Sequence, residues 1–577
     1  MSKAAQSITR QVSGASAAST AVSLGPSSPS SSNSPKLVQR PSGPHLKHSY
    51  IRSSPESAER TGRTLVLFFD GTGNAFGQSF TNIPTMLSLV SGDPSKVLTY
   101  YQTGIGTPLT HDSWGLRQII RKIGQIVDAG VAYSVGRHIC SGYRWLMDSY
   151  QPGDSVQILG FSRGAFTARA LAGMIQQVGL LPAGNEETIP LAYSIYKNAS
   201  EEELIPGETV AQGFRRTFSR EIYIDFVGVF DTVSSVGALW PRTLPFANRS
   251  EYIHRFRQVY SLDERRARFA VQPWIRSKGK EEKTDVREVA MVGSHSQIGG
   301  GQYEWDGDYA PNLAHLSLIW MLKEAVEAGL DLDHERIARS PIFEPFYQQA
   351  LDATLPSATQ HPELELYLQK VKNNNPNVNT TVAACVWYAS RPNPRATANA
   401  LAPRADVIGF SIEKRPAEVR AKMSWKDRLG DWWSRRKQQA TVLGWWLLEV
   451  SPTLKIFWDD EGQIRKWRFK PNLGKGRRLP KDPIFHFSVR ERLAAKGALS
   501  FGPGNNENVP EGDDYTFAAR FKKGQSIADV TWDGDRELDP EEEAKKKAEK
   551  AAAKAAKKAA KQAIAQAQGE RAPVAQV

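Results

Sequence analysis

Ser155-Val156-Gln157-Ile158-Leu159-Gly160-Phe161-Ser162-Arg163-Gly164-Ala165-Phe166-Thr167-Ala168-Arg169-Ala170-Leu171-Ala172-Gly173-Met174-Ile175 decides how this chain is read. Its first five residues form a run of buried-strand type, and Ala165 to Ile175 have a small-residue helix pattern. Between them stands Gly160-Phe161-Ser162-Arg163-Gly164. A strand, a sharp turn and a helix around Gly-x-Ser-x-Gly are what a nucleophile elbow requires, with the serine hydroxyl exposed at the turn. Such a turn is strained and its backbone passes close to its neighbours, which suits the two glycines. Ala165, Ala168 and Ala172 would let the helix lie close beneath a sheet. The five-residue pattern also recurs by chance, so the rest of the chain has to support it.

Upstream, Thr64-Leu65-Val66-Leu67-Phe68-Phe69 is an apolar run of strand length ending in Asp70-Gly71-Thr72-Gly73-Asn74, a turn signal. A second strand is predicted from Lys96 to Tyr101, followed by Gln102-Thr103-Gly104-Ile105-Gly106-Thr107. A long helix is predicted over about 115–149, with Ile119, Ile120, Ile123, Ile126, Val127 and Val131 on its apolar face. Downstream, Glu221 to Phe230 reads as a strand ending at Asp231, and Arg287 to Val292 as one ending near His295. Apolar strands alternating with helices imply an α/β fold: a mostly parallel sheet covered by helices on both faces. In such sheets functional groups gather at the carboxyl ends of the strands. Asp70, Ser162, Asp231 and His295 all follow predicted strands directly.

A serine hydroxyl becomes a good nucleophile when a base removes its proton, and the base is usually a histidine supported by a carboxylate. The expected chain order in α/β hydrolases is Ser, then Asp or Glu, then His. Of the histidines after the acid, His295 follows a strand and precedes Gly299-Gly300-Gly301, a loop without side chains to block a substrate. His315, on an apolar helix pattern, illustrates the structural alternative. Asp231 emerges from Phe226-Val227-Gly228-Val229-Phe230, whereas Asp225 lies inside that strand. Asp231 could instead cap the following turn. One oxyanion donor would be the backbone N–H of Arg163, directly after the nucleophile. The other would come from Gly71 or Thr72. Asp70 is read as orienting that loop or contacting substrate or metal, with Asn74 beside it. A phosphoryl-acceptor reading of Asp70 is weak, because Thr72 stands where a second acid would be needed.

Assembled, these segments resemble the α/β-hydrolase domain shared by type VI secretion phospholipase effectors and many uncharacterised fungal and bacterial proteins. The resemblance rests on Phe69-Asp70-Gly71-Thr72-Gly73-Asn74, Thr81-Asn82-Ile83, Gly104-Ile105-Gly106-Thr107, Gly160 to Arg169, and Phe230-Asp231-Thr232-Val233. It continues through Leu262-Asp263-Glu264-Arg265-Arg266 and Gly293-Ser294-His295-Ser296-Gln297-Ile298-Gly299-Gly300-Gly301. Together these cover about residues 63–330, and Gly444-Trp445-Trp446-Leu447-Leu448-Glu449 extends the likeness toward about 490. It implies a Ser162, Asp231, His295 triad and esterase or phospholipase chemistry; no metal ligand set and no cofactor are predicted. One departure is Gln297, where the family tends to carry an acid, which weakens any charge-dependent role at that spot. The two tails look like eukaryotic additions.

Composition bounds the rest. The 577 residues allow a large core and several modules. Four regions are expected: a disordered Ser/Pro-rich tail over 1–60, a catalytic domain over 61–415, a Trp-rich basic extension over 416–535, and a Lys/Ala-rich helical or disordered tail over 536–577. Cys140 and Cys385, far apart, give no disulfide framework or cysteine zinc site, so a reducing compartment is the default. Without a spanning apolar stretch or secretory signal, a cytoplasmic or peripheral-membrane protein is expected. The Ser-rich, acid-poor start also fits a mitochondrial transit peptide, the lesser reading. Net charge +13 points to an anionic partner, either membrane or nucleic acid. Trp425, Trp432, Trp433, Trp445, Trp446, Trp458 and Trp467 lie among basic residues and suit either a core or an anionic membrane surface. For a lipid hydrolase the membrane is the favoured partner over nucleic acid. The overall reading is a serine hydrolase of carboxylic esters, with lipid the expected substrate. The alternatives are a small-ester or thioester hydrolase, or a catalytically idle hydrolase fold serving as an adaptor.

Overall fold

The computed structural model describes residues 62–71, 79–104, 128–198, 203–205, 207–233, 244–266, 269–275, 283–304, 312–355, 361–391, 453–458, 464–470, 476–480, 482–494, 519–521 and 525–533. One unit, Glu59–Val577, holds all of them. Its centre is a sheet built from β1 (Thr64–Phe69), β2 (Val97–Gln102), β3 (Ser155–Phe161), β4 (Ile224–Phe230), β5 (Ile253–Ser261), β6 (Asp285–Met291), β7 (Ile484–His486) and β8 (Thr531–Asp533). The spatial order is β8-β7-β6-β5-β4-β3-β1-β2. Every neighbouring pair is parallel, so the mostly parallel sheet expected from the alternation is wholly so.

Parallel strands buried on both faces need apolar side chains at successive positions, and β1 is buried at all six. Successive side chains point to opposite faces. Val66 and Phe68 of β1, Leu159 and Phe161 of β3 and Phe226 of β4 enter one core cluster. Leu65, Leu67, Phe69, Val156, Ile158, Val227 and Val229 enter the other. The first cluster is closed by helices α1 (Asn82–Leu89), α5 (Leu313–Glu327) and α6 (Thr380–Ser390). The second is closed by α2 (Asp128–Ser149) and α3 (Arg163–Val178). A one-turn helix, α4 (His295–Gly299), follows β6. In register, Phe69 faces Gly160, Phe161 faces Phe230, and Phe230 faces Val259, so the carboxyl ends of β1, β3, β4 and β5 finish together.

The stretch expected as an extension from 416 contributes to the main sheet. Ile484 and Phe485 of β7 pair with Val289 and Ala290 of β6, and β8 pairs with β7. Two short segments of the stretch assigned by composition to the extension are thus strands of the main sheet, with β8 at its edge. Buried charge reinforces the join: Trp320 donates to Asp533 at 2.6 Å, and Arg287 lies 3.0 Å from Glu324 and 3.8 Å from Asp533. Arg257 also pairs with Glu324.

β5 also goes beyond the sequence reading. Of the long helix, Asp128–Ser149 is described, while Ile119, Ile120, Ile123, Ile126 and Val127 lie outside the described residues. So do both tails and Trp425, Trp432, Trp433, Trp445 and Trp446. Trp458 and Trp467 sit on an antiparallel pair, Thr453–Trp458 and Ile464–Lys470. Among the described residues no helix is long and apolar enough to cross a membrane.

Candidate active site

Ser162 occupies the single residue between β3 and α3, with φ 58° and ψ −118°. A side chain in that conformation costs on the order of 1–3 kcal/mol, so the surroundings must hold it there. They do so sterically. A β-carbon on Gly160 would lie 2.6 Å from the Gly164 carbonyl oxygen and 2.7 Å from Ala165. A β-carbon on Gly164 would lie 2.2 Å from the Phe69 carbonyl oxygen and 2.5 Å from that of Asp70. The Ser162 N–H donates to the Phe230 carbonyl at 3.0 Å, tying the elbow to β4.

Asp231 leaves β4 with φ 47° and donates its N–H to the Val259 carbonyl at 2.7 Å. His295 opens α4. Its Nε2 lies 2.8 Å from Ser162 Oγ and its Nδ1 lies 2.5 Å from Asp231 Oδ2. With Nδ1–H donating to the carboxylate, Nε2 is left to accept from the serine hydroxyl. Three side chains remote in sequence are thus joined in one hydrogen-bonded line, all buried. The His295 ring is flanked by Phe161 and Phe269, each with its centroid 4.8 Å away. The His295 backbone N–H donates to the buried Glu264 at 3.3 Å, and Arg266 in turn donates to Glu264. Burial pulls the His295 imidazole below its ordinary value, against the opposing pull of Asp231 and Glu264.

Burial alone would raise the Asp231 carboxyl. The charge of Arg477 and the bonds from His295 and Arg477 instead hold it well below the usual carboxylate range. Arg477 forks onto both oxygens, Nη1 to Oδ1 at 2.5 Å and Nη2 to Oδ2 at 2.8 Å, and Ser261 N–H adds a bond to Oδ1 at 2.9 Å. Sequence reasoning missed this arginine. It stands in the basic stretch Lys475-Gly476-Arg477-Arg478, where nothing separates it from solvated charge.

Arg163 begins α3, so its N–H is among those a helix leaves without an intrahelical acceptor. Gly71, expected as a possible oxyanion donor, has its N–H engaged by Asp70 Oδ1 at 2.6 Å, as a buried carboxylate calls for donors. Thr72 and Asn74 lie outside the described residues. Asp70 also accepts from Thr81 Oγ1 at 2.8 Å and Tyr101 Oη at 3.0 Å, so it pins the loop after β1 to β2 and to the start of α1. Burial raises its carboxyl above the ordinary value, against these bonds.

Gln297 caps α4 by accepting from Ser294 N–H at 2.8 Å. Asp225 is engaged at the far end of the strands, accepting from Ser155 Oγ at 2.8 Å and Val156 N–H at 2.9 Å. His315 caps α5, its Nδ1 accepting from Asn312 N–H at 3.2 Å. Among the described residues no group of three or more His, Cys, Asp or Glu could hold a metal ion.

A serine on a glycine-flanked elbow, with histidine and aspartate at the carboxyl ends of a parallel sheet, is the α/β-hydrolase type of fold and site. Residues 63–324 match the model of a family described as the type VI secretion phospholipase effector Tle1-like catalytic domain. The resemblance read from the motifs is borne out over these residues. An uncharacterized protein of Saccharomyces cerevisiae, YEL023C, is 42% identical over 226 residues, 37% of this chain and 33% of that protein. The chain therefore matches about a third of that relative's length. An uncharacterized protein from Pseudomonas aeruginosa of known structure is similar at 18% identity, with TM-score 0.30, over 67% of this chain and 60% of that one. A Tle1 effector bound to the VgrG spike of the type 6 secretion system is similar at 21% identity, with TM-score 0.24, over 42% of this chain and 52% of that one. Zea mays acyl-protein thioesterase 2 is similar at 9% identity, with TM-score 0.20, over 41% and 87% of the respective chains.

Proposed function

We propose that this chain is a serine hydrolase that cleaves carboxylic esters of lipids through an acyl-enzyme. Ser162 Oγ attacks the ester carbonyl while His295 Nε2 takes its proton, and Asp231 orients and supports the imidazolium that forms. The oxyanion is met by the Arg163 N–H, with the second donor drawn from Gly71 or Thr72 after β1. His295 then protonates the departing alcohol. Water, activated by the same histidine, releases the fatty acid. The observation that carries the reading is the pair of contacts around one imidazole, 2.8 Å to Ser162 and 2.5 Å to Asp231. The lipid substrate is supported by the match over residues 63–324 to a phospholipase effector domain. The chain works from the cytoplasmic side, its basic Trp-rich segment meeting anionic lipid.

Fluorophosphonate labelling tests the chemistry: wild-type protein should label and Ser162→Ala should not. Absence of labelling in the wild type would favour the idle adaptor. Lipid extracts incubated with either protein would identify the ester, a fatty acid appearing with wild type alone. Sedimentation with anionic vesicles should weaken as salt rises, and binding indifferent to salt would remove the basic-surface proposal.

A further inference from the structure

The reaction as proposed gives Arg477 no stated task, yet this residue donates to both carboxylate oxygens of Asp231. It comes from the segment 476–480, beyond the residues 63–324 that match the family. Besides its fork on Asp231, its Nη1 donates to Ser261 Oγ at 2.7 Å and its Nε to the Phe269 carbonyl at 2.8 Å. Phe269 in turn packs edge-on against the His295 ring. One guanidinium thus holds the acid and the aromatic wall of the base together.

We infer that Arg477 is a positioning residue for the hydrolysis proposed above, supplied by the C-terminal segment, which fixes Asp231 so that one carboxylate oxygen stays on His295 Nδ1. The inference rests on that reading of the site. A buried carboxylate is costly unless it is paired and hydrogen-bonded. The planar fork of arginine satisfies both oxygens at once and sets their orientation, which a lysine ammonium cannot do. A role confined to anchoring the segment is a poorer account, because the segment has other attachments. Leu479 N–H donates to the Arg520 carbonyl at 3.0 Å, and Ala519 N–H to that of Leu262 at 2.8 Å.

The charged groups facing His295 are Asp231, Glu264 and Arg266, with Arg477 acting through Asp231. A positive charge behind the carboxylate weakens its hold on an imidazolium and keeps His295 neutral to lower pH. Removing it should therefore raise the pH at which the base becomes available.

The test uses the full chain carrying Arg477→Gln or Arg477→Lys. For Arg477→Gln, fluorophosphonate labelling at neutral pH should slow at least tenfold, and the acid limb of kcat/KM for a short-chain nitrophenyl ester should move up by about 1–2 pH units. Arg477→Lys should hold the limb near its wild-type position but still label slowly, since it restores charge without the fork. NMR titration of His295 in a Ser162→Ala background reads the same shift without any turnover. If the His295 titration and the labelling rate are unchanged in Arg477→Gln, the inference is overturned. Should wild type neither label nor hydrolyse, the hydrolase reading fails, while the NMR shift still decides whether Arg477 tunes His295. Should Arg477→Gln not fold, Arg477→Lys decides, and wild-type labelling in that variant overturns the inference.

Discussion

Gly164 packs so tightly on the end of β1 that its missing β-carbon would lie 2.2 Å from the Phe69 carbonyl oxygen. The elbow is therefore set by contact between two backbones, and the strain at Ser162 is sustained by that contact. Gly164→Ala is expected to destabilise the fold by roughly 1–3 kcal/mol or more, because neither backbone can move without disturbing the sheet. Urea denaturation would show it as a lowered midpoint, with loss of Ser162 labelling. A wild-type midpoint in this variant would mean the elbow is softer than the geometry implies.

The pH dependence of turnover follows from His295. Burial pulls its imidazole below the ordinary 6.5, and only the neutral form can accept the serine proton. The acid limb of kcat/KM in the wild-type protein is therefore expected to have its midpoint below pH 6.5. A midpoint above that value would place the base in a more solvated or more acidic setting than the one described.

Stability should fall on mild acidification. Burial pushes His315 down to about 4 and His486 down to about 3, so both stay neutral in the folded protein where the unfolded chain takes up protons. Unfolding is then favoured progressively as pH drops below about 6.5, by up to ~1.4 kcal/mol per unit for each group. Asp231 and Glu324, held low by their arginines, keep their contribution through this range and lose it only in strong acid. Thermal melts at pH 7, 6 and 5 should show Tm declining, and His486→Phe should flatten the decline.

Among the described residues Arg169 is the largest fully buried side chain, and it works behind the site. It donates to the carbonyls of Ala247 at 2.7 Å, Gln272 at 2.7 Å and Pro273 at 3.0 Å, while Gln272 N–H bonds the Thr232 carbonyl beside Asp231. Burial lowers its guanidinium to about 10, which leaves it charged at neutral pH. Arg169→Met would take the donor from the Ala247 and Pro273 carbonyls, the Gln272 carbonyl keeping Gln258 Nε2, and should cost on the order of 3 kcal/mol, measurable by chemical denaturation. A near-neutral result would show that water can replace the guanidinium.

Asp70 should behave as a loop anchor. Asp70→Ala removes the acceptor shared by Thr81, Tyr101 and Gly71. Labelling of Ser162 is expected to slow about tenfold with Asp70→Ala, less with Asp70→Asn, and not at all with a chelator. Inhibition by chelator would reassign Asp70 to a metal.

The features legible from residue order are those with a local cause. Apolar runs announced β1, β3 and β4, and two glycines around Ser162 announced the elbow. Each of Ser162, Asp231 and His295 follows a strand, so the parallel topology needed only to align the strand ends. Tertiary structure decided what has no local signature. Strands β7 and β8 are three residues long and carry no period, so pairing with β6 and the bonds of Asp533 define them. Gly71 is a plausible donor by type, and the fold engages its N–H with the buried Asp70 carboxylate. Arg477 reaches Asp231 across 246 residues, a contact set by the folded path of the chain and invisible in the order of its residues.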